Sequence, residues 1–502
     1  MSAFVTDQFR ILNAGSFVES ISNNSYYAFL GLSNPTPGSV GFGRTDNWNT
    51  STTNNPVDNF QYLSHYRDTS LFGKKITSEN ARRVIRKVQW VSNTPYDMYR
   101  HDYRQGNESS VSKTVRLYDS NYYIVTSEFK VYICIDNGSS GSSPSITGSL
   151  IEPTQTDVEP PVAGSDGYRW KYLFSISPSD VIKFDSTEFI IVPNNWETST
   201  NSDIQTIREG GDSDINNNQI KTVYIENGGT GYSNGTASII GDGSGATVSI
   251  AVDSSGIITS VTVTNGGKGY TYGIIDLSVN SGSGSRLIPI IPPSKGHGYN
   301  IYDELGTDKV LMYARFDDST KDFPIDTKFS QVGIIKNPET FAGVGITFTE
   351  NAFSSLYAVG LTTSRNVVIG EKITQDTSGA KGYVASFDTD TKVLKYYQDR
   401  SLCFGNKEDQ LDSASTSNII AFNSTNDITF TQSTGSSSID TDLNGSVIVV
   451  NNKQINLGVT FTNGLANPEI NKKTGTIIYI DNRPEVQRDS RQKEDIKIIL
   501  EF

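Results

Sequence analysis

The sequence predicts a mainly β protein: a layered β-sandwich core, short helices in side excursions, and an inserted small β-module containing an Asn-Gly-Gly-x-Gly-Tyr repeat. Three observations carry this expectation. Runs of β-branched and aromatic residues alternate with Gly, Asn and Pro turn signals along most of the 502 residues. Helical periodicity is confined to a few short segments. The pattern Val223-Tyr-Ile-Glu-Asn-Gly-Gly-Thr-Gly-Tyr232 recurs as Val261-Thr-Val-Thr-Asn-Gly-Gly-Lys-Gly-Tyr270.

In chain order, Thr6 to Ser20 carries Phe9, Leu12 and Phe17, a loose match to a 3.6-residue period. Thr77 to Trp90 matches better, with Ala81, Val84, Ile85 and Val88 on one stripe and Ser78 as cap, so a helix is expected there. Asn121 to Thr126 and Phe129 to Ile135 read as strands ending at the turn Asp136-Asn-Gly138. Residues 137–165 are mostly Ser, Gly, Pro and Thr and read as a long surface loop. Tyr168 to Ile176 is a strand with Tyr168, Trp170, Tyr172 and Phe174 on one period-2 face. Ser177-Pro-Ser-Asp180 opens a short helix leading into Phe184.

Asn195 to Asn218 has low complexity and reads as a linker before the repeat. In each repeat copy a strand runs into Asn-Gly-Gly, where the glycines allow positive φ and a tight reversal. After residue 330, Val367 to Thr374, Gly379 to Val384 and Val393 to Gln398 read as short strands. Asp412 to Ser438 is polar and expected at the surface. Gly475 to Asn482 and Asp495 to Phe502 close the chain as strands, and the alternation reaching Phe502 predicts a terminus tied into a sheet. The expected domains are 1–195 (first part of the β-sandwich core with peripheral helices), 196–290 (linker and inserted repeat-containing β-module), 291–340 (return to the core), 341–470 (β-rich insert or accessory unit with polar loops) and 471–502 (C-terminal core strands).

Composition narrows the function. The net charge of −13 disfavours broad contact with nucleic-acid backbone. No run of 18 apolar residues exists, so no membrane insertion is expected. The first residues lack the basic and apolar regions of a signal peptide. Two cysteines, Cys134 and Cys403, do not make a disulfide framework or tetrathiolate site. The three histidines, His65, His101 and His297, form no His-Glu-x-x-His or His-x-His pattern. A Ser-His-Asp triad has no Gly-x-Ser-x-Gly elbow in a strand–helix setting to support it. Gly266-Gly-Lys-Gly269 lacks the remaining phosphate-loop residues and reads as a turn. Asp303-Glu304 and Asp317-Asp318 read as solvated acidic surface, with metal binding and glycosidase chemistry as the sharper alternatives. No catalytic, cofactor or metal residues are assigned. The basic cluster Arg82, Arg83, Arg86 and Lys87 and the tyrosines Tyr96, Tyr99 and Tyr103 form the candidate protein interface. The bland readings beside it are a solvated helix face and ordinary packing.

Several segments in order carry a family resemblance. They are Trp90-Val-Ser-Asn-Thr-Pro-Tyr-Asp-Met-Tyr99, Phe129 to Asn137 with Asp166 to Ile176, and Gly296-His-Gly298 with Glu304-Leu-Gly306. Gln331 to Pro338, Ile480-Asp-Asn-Arg-Pro484 and Gln492 to Phe502 follow. Together they resemble the baseplate wedge subunit (eighth-gene product) of contractile-tailed bacteriophages of the T-even type, in a cyanophage or marine form. The resemblance spans 1–195 and 290–502; the repeat unit and the polar stretches exceed the compact family pattern. It implies a structural, non-enzymatic virion protein of the tail baseplate, assembled in the host cytoplasm. It further implies a homodimer that joins other wedge subunits, with no cofactor. The alternative from a different class is a carbohydrate-binding or glycan-degrading tail module, suggested by the β-rich pattern, many tyrosines and paired acids.

Overall fold

The computed structural model describes residues 5–32, 55–56, 58–139, 147–158, 164–212, 219–278, 280–317, 328–398, 420–487 and 492–502. Cys403, Asp318 and residues 412–419 of the polar stretch lie outside them. The protein is mainly β, with several sheets and a few short helices. It divides into two compact units, one of Met1–Val18, Arg82–Leu311 and Ile499–Phe502, the other of Glu19–Ala81 and Met312–Ile498.

In the first unit, Lys130–Asn137 is the middle strand of an antiparallel sheet between Tyr123–Val125 and Tyr168–Ser175. Val131 to Ile135 are all buried, as an apolar run covered on both faces requires. Tyr168 and Trp170 share a face and stack, centroids 5.6 Å apart. The opposite face of that strand is buried too, through Lys171 and Leu173, so the aromatic stripe is only one of two packed sides. The short helix Pro178–Phe184 forms as expected, with Ser177 Oγ accepting from Asp180 N at 3.2 Å. At the other end of the chain, Phe502 N donates to Asp308 O and its ring lies 5.3 Å from Phe17. Phe17 itself is on the helix Asp7–Asn23.

Two local expectations are overturned. Thr77–Trp90 is not a helix: a short turn at Ser78–Asn80 leads into the strand Ala81–Arg86. Val84 pairs with Ile191 and Ile85 with Ile190, and the sheet order is Glu494–Glu501, Lys309–Phe316, Ala81–Arg86, Phe189–Ile191. Adjacent β-branched residues are stiff at χ1 and suit a strand buried on both sides; cross-strand pairing decides against the helical period. Nor is Asn195–Asn218 only a linker. It carries the fully buried Trp196 and the helix Ser202–Asp212, whose Ile207 is buried. Two apolar anchors outweigh a polar composition.

The repeat copies share one backbone form. Gly229 and Gly231 have φ of 63° and 74°, and Gly267 and Gly269 have 62° and 75°. A Cβ on Gly229 would lie 2.6 Å from Ser283 O and Ser285 N; one on Gly267 would lie 2.5 Å from Ser244 O and 2.6 Å from Ala246 N. The ring of Tyr232 covers Gly282 as that of Tyr270 covers Gly243. Each Asn-Gly-Gly-x-Gly-Tyr turn therefore docks on a Gly-Ser-Gly, at 282–284 and 243–245. The strands Val223–Thr230 with Ser283–Pro289, and Ser244–Val252 with Ile258–Lys268, are the corresponding pairs. Gly267→Ala is expected to destabilise this region by more than the roughly 1–2 kcal/mol of a left-handed backbone alone. Gly284→Ala, also at positive φ but with open space around its Cβ, isolates the backbone contribution. Chemical denaturation of both variants measures the difference.

The second unit holds a five-stranded antiparallel sheet in the order Ala352–Ser354, Ser70–Ile76, Tyr26–Gly31, Lys328–Lys336, Thr476–Gln487. Every residue of Tyr26–Gly31 is buried, and Tyr27 Oη donates to Glu350 O at 2.7 Å. A seven-stranded sheet is centred on Ala380–Asp388, between Lys372–Gln375 and Val393–Tyr397.

Candidate functional site

The strand Ala81–Arg86 is covered on both faces, with the adjacent Val84 and Ile85 both buried; Arg82 and Arg83 are partly buried, as is Lys87 just after it, and Arg86 is exposed. Each cation meets groups of its own unit. Arg82 Nη2 lies 3.2 Å from Asp180 Oδ1, and its guanidinium is 5.1 Å from the centroid of Phe184. Arg83 covers the ring of Tyr302 at 3.7 Å. Arg86 donates to the carbonyls of Asp119 and Ser120 at 3.2 and 3.1 Å. Lys87 Nζ contacts Asp185 Oδ1 at 2.7 Å and Ser186 O at 3.2 Å. The two acids sit at the start and end of the helix Pro178–Phe184, so the cations clamp that helix to the strand. The basic run is a brace within the unit before it is anything else.

Beside it lies a cleft of about 260 Å³ lined by residues that include Arg10, Arg86, Arg116, Asp308, Lys309 and Glu501. Its charges are interleaved. Lys309 Nζ lies 2.9 Å from Asp308 and 3.3 Å from Glu501, Arg10 reaches Asp308 at 4.0 Å, and Arg116 bridges Asp7 and Asp119. Most of these partners are partly exposed, which limits each pair to a fraction of a kcal/mol, up to about 1 kcal/mol. The arrangement presents a polar, charge-alternating wall suited to a partner surface with both signs of charge.

The tyrosines fall differently. Tyr96 and Tyr99 are buried, and their expected place on an interface is corrected by that burial. Tyr96 N–H donates to Tyr168 Oη at 3.0 Å, and Tyr96 Oη accepts from Val91 N at 2.6 Å. Tyr99 meets His297 edge-on at 4.7 Å. Burial pushes the phenols of both above their usual range, with the nearby Glu304 carboxyl adding to the effect at Tyr99. Tyr103 is half-buried and donates to Met98 O at 2.8 Å. Aromatic density marked a core here, because a large flat ring serves packing as readily as docking.

The structure also assembles a pair that residue-type spacing did not flag. His297 Nδ1 and Glu304 Oε1 are 2.5 Å apart, and Glu304 Oε2 accepts from Gly298 N at 2.7 Å. The short helix Ile301–Leu305, capped by Asn300, presents Glu304 to the loop that precedes it. The pair ties the Gly296-His-Gly298 loop in place, and its signal in the sequence was the short spacing across a capped helix start. Glu304 of the expected acidic surface pair is therefore buried, whereas Asp303 remains exposed. Among the described residues, no group of three or more His, Cys, Asp or Glu is placed to hold a metal ion. Among them, no helix is long and apolar enough to cross a membrane.

Reversing Arg82 and Arg83 to glutamate is expected to destabilise the first unit. It places like charge against Asp180 and replaces a cation over the Tyr302 ring. A loss on the order of 2 kcal/mol follows from these partly buried contacts, measurable by thermal unfolding against the wild type. The sequence matches no family model and no curated protein.

Proposed function

We propose that this chain is a structural subunit of a phage tail baseplate wedge, related to the eighth-gene product of T-even-type phages. In this reading it has a layered β-sandwich core carrying the repeat-bearing β-module. It acts as a homodimer that joins neighbouring wedge proteins during assembly and in the contraction-competent baseplate. One observation supports the reading most: the segments that carry the resemblance touch one another within each unit. In the first, Tyr96 N–H bonds to Tyr168 Oη, Tyr99 N–H to Cys134 O, and the Tyr99 ring packs on His297. In the second, Gln331 Nε2 donates to Asn482 Oδ1 at 2.8 Å, joining the Gln331 and Ile480 segments inside the sheet. Residues scattered in sequence but clustered in space behave as the framework of one fold. A scaffold joint needs such a framework more than it needs tuned side chains.

The test is co-expression with the other wedge subunits of the same phage, followed by size-exclusion chromatography and light scattering. The expected result is a stoichiometric complex containing two copies of this chain. Absence of any stable complex, with binding to host-surface glycans instead, would replace this reading with that of a glycan-binding tail module.

A further inference from the structure

The repeat-bearing segment, residues 219–291, leaves and rejoins the rest of the first unit through adjacent chains. Its first strand Val223–Thr230 pairs with its last strand Ser283–Pro289, placing Tyr224 opposite Ile288 and Val223 opposite Pro289. Ile290 N then donates to Thr222 O, so the two chains stay together at the base. A single turn grips both of them. Arg100, itself buried, covers the Tyr224 ring at 3.9 Å and is locked by a two-pronged contact with Asp102, 2.9 and 2.8 Å. The next residue, His101, accepts the backbone N–H of Ile291 on Nδ1 at 3.2 Å. Arg100 thus holds the outgoing chain and His101 the returning one.

We propose that the Arg100–His101 dipeptide is an acid-releasable clamp on the repeat-bearing segment. Acceptance at Nδ1 requires an imidazole with its proton on Nε2; a protonated ring carries N–H at both nitrogens and faces the Ile291 N–H with another donor. Protonation therefore removes the grip on the returning chain and leaves the Arg100 contact in place. The residue keeps an exposed edge through which protons arrive. Burial of the rest of the ring holds its pKa below the usual imidazole value; the Asp102 charge opposes that shift and the Arg100 charge adds to it. On the segment packed against the turn, Tyr224 and Glu226 are the titratable groups of the first strand, and Glu226 is paired with Arg286 at 2.7 Å. Residues 287–293 of the returning chain, Leu-Ile-Pro-Ile-Ile-Pro-Pro, carry no titratable side chain.

The sign is fixed by linkage. A base with a lowered folded pKa contributes stability that is present above its unfolded value of 6.5 and is lost as pH falls through the folded value. Asp136, at the same base, accepts from Thr222 Oγ1 at 3.2 Å and titrates with the opposite effect. Burial raises its pKa, so its protonation favours the closed form.

The experiment is hydrogen exchange at the Ile291 amide of the full chain between about pH 4 and pH 7, corrected for the intrinsic pH dependence of exchange. The Ile133 amide, deep in the neighbouring sheet, serves as the global reference. In the wild type, protection at Ile291 should fall by up to about tenfold per pH unit as pH drops below 6.5, and level off once pH passes below the lowered pKa of folded His101, while Ile133 stays protected. His101→Asn keeps an acceptor at the δ position and should flatten that dependence; His101→Phe, without an acceptor, should show low protection throughout. A flat wild-type profile, a slope that survives in His101→Asn, or equal loss at Ile133 overturns the proposal.

Discussion

Trp196→Ala should be the most destabilising single substitution in the first unit, costing about 3–5 kcal/mol. The indole is fully buried, packs near Phe174 with centroids 6.1 Å apart, and its Nε1 donates to the carbonyls of Gly298 and Tyr299 at 3.0 and 3.1 Å. Truncation opens a cavity and strips both carbonyls of a donor, in the loop already held by Glu304. Trp196→Phe retains most of the apolar volume and loses only the N–H, so it should cost about 1–3 kcal/mol. Denaturant midpoints of the two variants separate the packing share from the hydrogen-bond share. If alanine costs no more than phenylalanine, the loop collapses onto the vacated space and the tryptophan is not an anchor.

The second large effect is expected at Glu371, in the other unit. Its side chain is buried and accepts four hydrogen bonds: from Val368 N at 2.8 Å, Gln432 N and Ser433 N at 2.9 Å each, and Ser433 Oγ at 2.6 Å. Burial alone pushes its pKa up, but the hydrogen bonds from Ser433, Val368 and Gln432 overcome it and hold the carboxyl below its usual value of 4.5. A depressed acid contributes stability that is complete above the unfolded value and lost as pH falls through the folded one. The wild type should therefore lose part of its stability on acidification below about pH 4.5. Glu371→Ala should lose on the order of 3 kcal/mol at neutral pH, and the acid-dependent part should shrink with it. Glu371→Gln keeps one acceptor oxygen and should fall between the two. Thermal unfolding at pH 7 and pH 4 checks both statements; an unchanged acid slope in Glu371→Ala places the titration elsewhere.

Much of the candidate site was legible as composition but not as partnership. The cluster of Arg82, Arg83, Arg86 and Lys87 was plain in the sequence, yet Asp180 and Asp185 each lie 98 residues from the cation they meet. No local pattern connects them. Tyr96 and Tyr99 were visible as aromatic, and only the neighbouring strands decided that they face inward. His297 and Glu304 are close in sequence, so their pairing was within reach once the capped helix between them was recognised. The contact of His101 with Ile291 spans 190 residues and was not.

The sequence by itself determined the strands Lys130–Asn137, Tyr168–Ser175 and Glu494–Glu501, and the positive-φ turns of the repeat. In those places local chemistry suffices: β-branched and aromatic residues suit a pleated surface, and Asn-Gly tolerates a reversal that other residues resist. Tertiary structure alone decided that Ala81–Arg86 is a strand, that Trp196 fastens a polar stretch, and that each repeat turn rests on a distant Gly-Ser-Gly. The reason is energetic. Strand propensity spans only about 1 kcal/mol among residue types, whereas burying an indole is worth several times that. Where the two conflict, the long-range contact prevails.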